Sequence, residues 1–179
     1  LLGLYWAALF VLSHIPIPQL VRDADVSDKN LHFLAYLILV FFLWFAISPD
    51  KKVNWCKSGP WRTLLVIILY GIADEISQSH VGRSCDILDL FSNLAGALTG
   101  LVLFMIFNFW SAAVLVAGIV IFGITNVARA NMADMLPIIN ATFHLFAYAA
   151  FTALWIQFLY SYRSTKPSKA NRLIPALAG

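Results

Sequence analysis

Six long apolar runs, at residues 1–17, 31–47, 61–76, 87–107, 111–127 and 138–160, occupy most of a 179-residue chain. A helix needs roughly 20 residues to cross the hydrocarbon core of a bilayer. The shorter runs need polar residues at their ends to complete a crossing. Six crossings leave too few residues for a separate soluble catalytic domain. Hydrophobic residues make up 61% of the chain and charged ones 12%, against about half and a quarter in a soluble domain. The expected fold is an all-α, polytopic membrane bundle of six transmembrane helices.

Turn-forming residues separate the runs: Pro16 and Pro18, Pro49 and Asp50, Gly59 and Pro60, Gly82, and Asn108. The chain starts at Leu1 rather than Met, which leaves residues upstream open. The first run has neither a basic flank nor a small-residue cleavage site, so it reads as a helix rather than a signal peptide. The net charge of +3 does not point to nucleic acid, because the basic residues fall where membrane topology puts them. Lys51, Lys52, Lys57 and Arg62 follow the second run, and Arg163, Lys166, Lys169 and Arg172 form the tail. With six crossings these eight lie on one side, opposite Arg22, Lys29, Arg83 and Arg129. By the positive-inside rule both termini are cytoplasmic. Cys56 and Cys85 then fall on opposite sides and do not pair.

The acidic residues segregate the other way. Asp50 alone shares the basic side; Asp23, Asp25, Asp28, Asp74, Glu75, Asp86, Asp89 and Asp134 are on the outer side, with His14, His32, His80 and His144. Three clusters stand out there. Asp28 and His32 are one helical turn apart, with Tyr36 on the same stripe. Asp74 and Glu75 end the third run with Gln78, Asp74 and Gln78 sharing a face. Asp86, Asp89 and Asn93 enter the fourth run on the face of Gly96 and Gly100. The two glycines allow close helix approach, and the seam is expected to join the third and fourth helices. His32-Phe-Leu-Ala-Tyr36 is echoed by His144-Leu-Phe-Ala-Tyr148, so the last two helices read as a degenerate copy of the first two.

These motifs, quoted in order, are Ser27-Asp28-Lys29-x-x-His32-Phe33, Tyr70-Gly71-x-x-Asp74-Glu75-x-x-Gln78, and Arg83-x-x-Asp86-x-x-Asp89-x-x-x-Asn93-x-x-Gly96-x-x-x-Gly100. Together with Leu12-Ser13-His14-Ile15-Pro16 they resemble the VanZ-like family, over about the first 108 residues. The resemblance implies a multi-pass bacterial plasma-membrane protein linked to cell-envelope antibiotic resistance, teicoplanin resistance above all. It carries over no reaction. It divides the chain into a VanZ-like core at 1–108, an added helix pair at 109–162 and a basic cytoplasmic tail at 163–179.

Each cluster also has a plainer reading. Asp86 suits a helix cap, which does not account for Asn93 deeper in the helix. Asp74 and Glu75 fit a structural ion network as well as a substrate site. His32 and His144 fit hydrogen-bonded packing residues. A metal set drawn from His32, His144, Asp74 and Asp89 has no H-E-x-x-H or comparable spacing behind it, so no metal or cofactor is expected. Trp6, Trp44, Trp55, Trp61, Trp110 and Trp155 near run ends make an interfacial belt.

The leading expectation is an extracytoplasmic site that binds or modifies a lipid-linked envelope precursor. Lys29 and Arg83 would hold its anionic headgroup. Gln78, Asp89 and Asn93 would contact it; Asp74, Glu75 and His32 would do acid–base work; Asp28, Asp86, Tyr36 and His144 would support them. The second expectation is a non-catalytic accessory subunit of a larger membrane complex. Membrane lipids, and other membrane subunits under the second reading, are the partners. A transporter is disfavoured because the polar residues trace no path across.

Overall fold

The computed structural model describes residues 1–15, 27–48, 51–80, 86–131 and 137–165, with side chains left out at 79, 123–131, 137–140 and 164–165. Six helices follow in order: α1 Leu2–His14, α2 Asp28–Ile47, α3 Ser58–His80, α4 Ile87–Ile106, α5 Phe109–Asn131 and α6 Pro137–Thr165. No strand occurs among the described residues. Each of the six apolar runs thus becomes one helix.

Local chemistry sets the helix starts. The Ser27 side chain accepts from the Asn30 N–H at 3.3 Å, and Asp28 adds a carboxylate in the first turn of α2, where the helix dipole favours it. Asp86 does the same for α4, accepting from the Leu88 N–H at 2.9 Å, so its expected role as a cap holds. At the opposite pole, residues 51–57 stitch helix ends together. Val53 N–H donates to the Phe104 carbonyl at 3.1 Å, Lys52 Nζ to that of Ile106 at 2.7 Å, and Trp44 Nε1 to that of Lys51 at 3.0 Å. Trp44 therefore departs from the expected belt: it is buried against Phe104 rather than set facing the membrane.

The core lies between α2 and α4. Gly96 and Gly100 place the α4 backbone against α2: a Cβ on Gly96 would overlap the Phe33 carbonyl oxygen, and one on Gly100 would overlap Val40 Cγ1. The glycine seam therefore joins the fourth helix to the second, not to the third. The α3–α4 contact instead runs through Gly71, beneath Leu90 and Asn93. Tyr36, Leu39, Val40, Ile67, Ala97, Leu101 and Phe104 fill the interior. α5 and α6 pack chiefly on each other, and Gly118 faces Phe151. An apolar cavity of ≈ 380 Å³, lined by Phe41, Phe45, Trp110 and Leu154 among others, lies where this pair meets α2.

Among the described residues, three helical segments are long and apolar enough to cross a membrane, not six: Asp28–Ile47, Ile87–Ile106 and Ala141–Arg163. α1, at 13 residues, is too short. α3 has the length, at 23 residues, but Arg62 near its start and Asp74, Glu75 and Gln78 near its end dilute its apolar character. The apolar stretch of α5 is described only as Phe109–Phe122. Even so, Leu65, Leu69, Ile72 and Ile76 are exposed along one stripe of α3, while Thr63, Asp74, Glu75 and Gln78 are buried. Apolar residues outside and polar ones inside is the reverse of a soluble helix.

Candidate functional site

The polar residues converge where α1 and α3 end and α2 and α4 begin. Asp74, on α3, is 1% exposed and has both carboxylate oxygens engaged. Ser13 Oγ donates to its Oδ1 at 2.7 Å, and Gln78 Nε2 to its Oδ2 at 3.0 Å. His14 Nδ1 lies 3.9 Å from the same Oδ1. Asp74 therefore ties the end of α1 to α3. The shared face of Asp74 and Gln78 follows from their one-turn spacing. Ser13 was not singled out by the sequence beyond its place in a motif, since one serine closing an apolar helix carries no pattern of its own.

Glu75, the next residue, is also buried and turns about 100° away. Its Oε2 accepts from the Asp86 N–H at 3.3 Å, at the start of α4, while its Oε1 has no hydrogen-bond partner among the described residues. The two adjacent acids thus serve different neighbours.

On α2, His32 Nδ1 lies 3.0 Å from Asn93 Oδ1 of α4, and His32 Nε2 lies 3.8 Å from Asp28 Oδ1, one turn earlier. Asp89 joins them: one donor atom from each of Asp28, His32 and Asp89 lies within 4.8 Å of the other two. This grouping differs from the set named from sequence, because Asp28 takes part while Asp74 is held by Ser13 and Gln78. The α2–α4 glycine seam is what brings Asp89 and Asn93 to His32. Asn93 and Asp89 are 1% and 5% exposed. Asn93 Nδ2 and Tyr36 Oη have no hydrogen-bond partner among the described residues, and both border Gly71, where a Cβ would lie 3.5 and 3.6 Å from them.

Among the expected headgroup ligands, Lys29 donates to Asp86 Oδ2 at 3.3 Å, with both side chains part-exposed. The Asp86 carboxyl titrates below its ordinary value, first because the Leu88 N–H bonds to it and then because Lys29 does. Arg83 lies outside the described residues, as do Cys85, Asp23, Asp25 and Asp134. His144 does not join the cluster: its ring stacks on Tyr148 of its own helix, with centroids 5.7 Å apart. Tyr148 is exposed where Tyr36 is fully buried, so the echoed motifs occupy unlike surroundings.

The assembled site is a buried, mostly acidic cluster at one pole of the bundle. It offers fixed hydrogen-bond acceptors, the imidazoles of His14 and His32, and several buried polar atoms without hydrogen-bond partners among the described residues. A family model, VanZ/LLP1, matches residues 4–108, a stretch that contains the whole cluster and excludes α5 and α6. No curated protein and no solved structure matches the chain.

Proposed function

This chain belongs to the VanZ/LLP1 family, and from that premise we propose that its polar pole binds a lipid-linked cell-envelope molecule at the outer leaflet of a bacterial plasma membrane. The observation that carries the proposal is the concentration of buried polar groups at one pole. His32, Asp74, Glu75, Gln78, Asp89 and Asn93 are each under a tenth exposed, within helices whose outward faces are apolar. Buried polar groups in a membrane bundle are costly and mark functional sites.

Orientation follows from charge. Lys51, Lys52 and Lys57 lie at the pole opposite the cluster, where the Lys51 carbonyl accepts from Trp44 of α2 and Lys52 donates to the Ile106 carbonyl of α4. The positive-inside rule puts that pole in the cytoplasm. Leu1 is at the same pole, and the basic tail follows Arg163. Both termini then face the cytoplasm and the acidic cluster faces out.

In this reading Lys29 and Arg83 reach the headgroup, Lys29 by exchanging Asp86 for a phosphate. Gln78, Asp89 and Asn93 line the approach. Of the groups considered for proton transfer, Asp74 has both oxygens occupied and His32 uses Nδ1 on Asn93. The unpartnered Oε1 of Glu75 is the one carboxylate oxygen among these groups poised to accept a proton.

The test is teicoplanin susceptibility of a sensitive Gram-positive host expressing wild type, Glu75→Gln, Asp74→Asn or Arg83→Gln at matched membrane abundance. Protection by wild type that is lost in a folded, abundant Glu75→Gln variant supports the proposal. Protection lost only together with folding or membrane abundance points to a second reading, an accessory subunit whose polar network locks helices together, and equal protection by all four overturns the proposed site. The Ser13–Asp74–Gln78 bridge between α1 and α3 favours that alternative.

A further inference from the structure

The two ring nitrogens of His32 face different partners. Nδ1 is 3.0 Å from Asn93 Oδ1, an oxygen that only accepts, so Nδ1 carries the proton of that bond. In a neutral imidazole the lone pair then sits on Nε2, and Nε2 faces Asp28 Oδ1 at 3.8 Å. A charge-assisted N–H···O bond spans roughly 2.7–2.9 Å, so this gap is too long for one. Asp89 completes a triangle in which one donor atom from each of Asp28, His32 and Asp89 lies within 4.8 Å of the other two. Some point therefore lies within about 2.8 Å of all three atoms, against roughly 2.0–2.2 Å for bonds to a small divalent ion. Small side-chain rotations close that difference.

Two buried carboxylates at this place, Asp89 and Glu75, each have one oxygen without a hydrogen-bond partner among the described residues. Asp89 is 5% exposed, and its Oδ1 has no hydrogen-bond partner among the described residues. Glu75 adds an unpartnered Oε1 and interacts electrostatically with both His32 and Asp89. The Lys29 ammonium goes to Asp86 instead. Buried carboxylates of this kind are paired, protonated or bound to a cation.

We propose that Asp28, His32 and Asp89 form a binding site for a divalent metal cation, with Glu75 beside it. One imidazole nitrogen with carboxylate oxygens and no thiolate suits Mn²⁺ or Zn²⁺. The Nδ1–H bond from His32 to Asn93 is the restraint that metal-bound histidines carry on their second nitrogen. The cation also gives an anionic headgroup a partner in a cluster that would otherwise repel it. The inference stands apart from the proposed substrate, because metal binding is read on the purified chain with no antibiotic present.

The experiment uses the full chain in detergent, stripped with a chelator and titrated with Mn²⁺ and Zn²⁺ separately, with Co²⁺ absorption as the spectroscopic probe. Wild type should bind one ion per chain. Asp89→Asn, His32→Gln and Asp28→Asn should each weaken binding at least tenfold, and His32→Gln should alter the Co²⁺ spectrum. His80→Gln, a change at an exposed histidine outside the cluster, should leave binding intact. Should Asp89→Asn fail to fold, Asp28→Asn carries the comparison, since its side chain is 35% exposed. Failure of wild type to take up one equivalent overturns the proposal. So does uptake that survives all three cluster variants, or uptake that depends on His80.

Discussion

At the scale of single residues, the site is held by hydrogen bonds whose loss should be graded. Asp74 accepts from Ser13 and Gln78 inside the bundle, so removing one donor costs less than removing the shared acceptor. Ser13→Ala should lower stability by about 1 kcal/mol. Asp74→Ala should cost more, because it removes both buried hydrogen bonds at once, and thermal unfolding in detergent would rank the pair. Asp86 offers a pH handle. Its folded pKa is depressed, by the Leu88 N–H first and Lys29 second. Its contribution to stability is therefore present above about pH 4 and fades as the pH falls through the folded value. Wild type should lose melting temperature more steeply than Asp86→Asn as the pH falls below about 4, and comparing the two slopes checks this. Both Asp86 and the Asp74–Gln78 face were readable in the sequence, since caps and one-turn spacings are local rules. The Ser13–Asp74 bond was not, because it links residues 61 positions apart and no local rule reaches that far.

At the scale of helices, the glycine pattern announced a close contact without saying with what. Gly96 and Gly100 are spaced to strip one face of α4 of side chains, and sequence adjacency suggests α3 as the partner. The partner is α2, whose Phe33, Leu37 and Val40 fill the space the glycines leave. Register between non-consecutive helices depends on the shapes of both surfaces, and a one-helix pattern holds only half of that information. The contact makes a prediction of compensation. Gly100→Ala should destabilise the protein because the new methyl meets Val40 Cγ1, and Val40→Ala alone should also destabilise it by leaving a small cavity. The double variant should recover part of the loss, giving a coupling energy of opposite sign to the single effects, measured as a double-mutant cycle of unfolding. Gly96→Ala should not be rescued by any side-chain change on α2, because its added methyl meets the Phe33 backbone carbonyl. The same seam delivers Asp89 and Asn93 to His32, so spreading it should disturb the site as well as the fold.

Over the whole molecule, the chain solves a conflict between membrane and chemistry. The residues that deny α3 a fully apolar character are the ones the bundle buries, and the residues it turns outward are Leu65, Leu69, Ile72 and Ile76. Six helices were legible from six apolar runs, because each run is long and bounded by turn residues. The number able to cross a membrane by length and composition was not, since that depends on where each helix stops: α1 ends at His14 after 13 residues. Orientation is the consequence that can be tested most directly. The 51–57 segment binds the ends of α2 and α4 at the pole opposite the acidic cluster, and Cys56 within it is an exposed free thiol. If that pole is cytoplasmic, a membrane-impermeant maleimide should leave Cys56 unlabelled in intact cells and label it after lysis, in a Cys85→Ser background. A cysteine in place of Lys29, which is part-exposed at the other pole, should show the reverse pattern. Labelling of Cys56 from outside would invert the molecule. The acidic pole would then face the cytoplasm, where an extracytoplasmic headgroup could not reach it, and the proposed function would fail while the metal site could still stand.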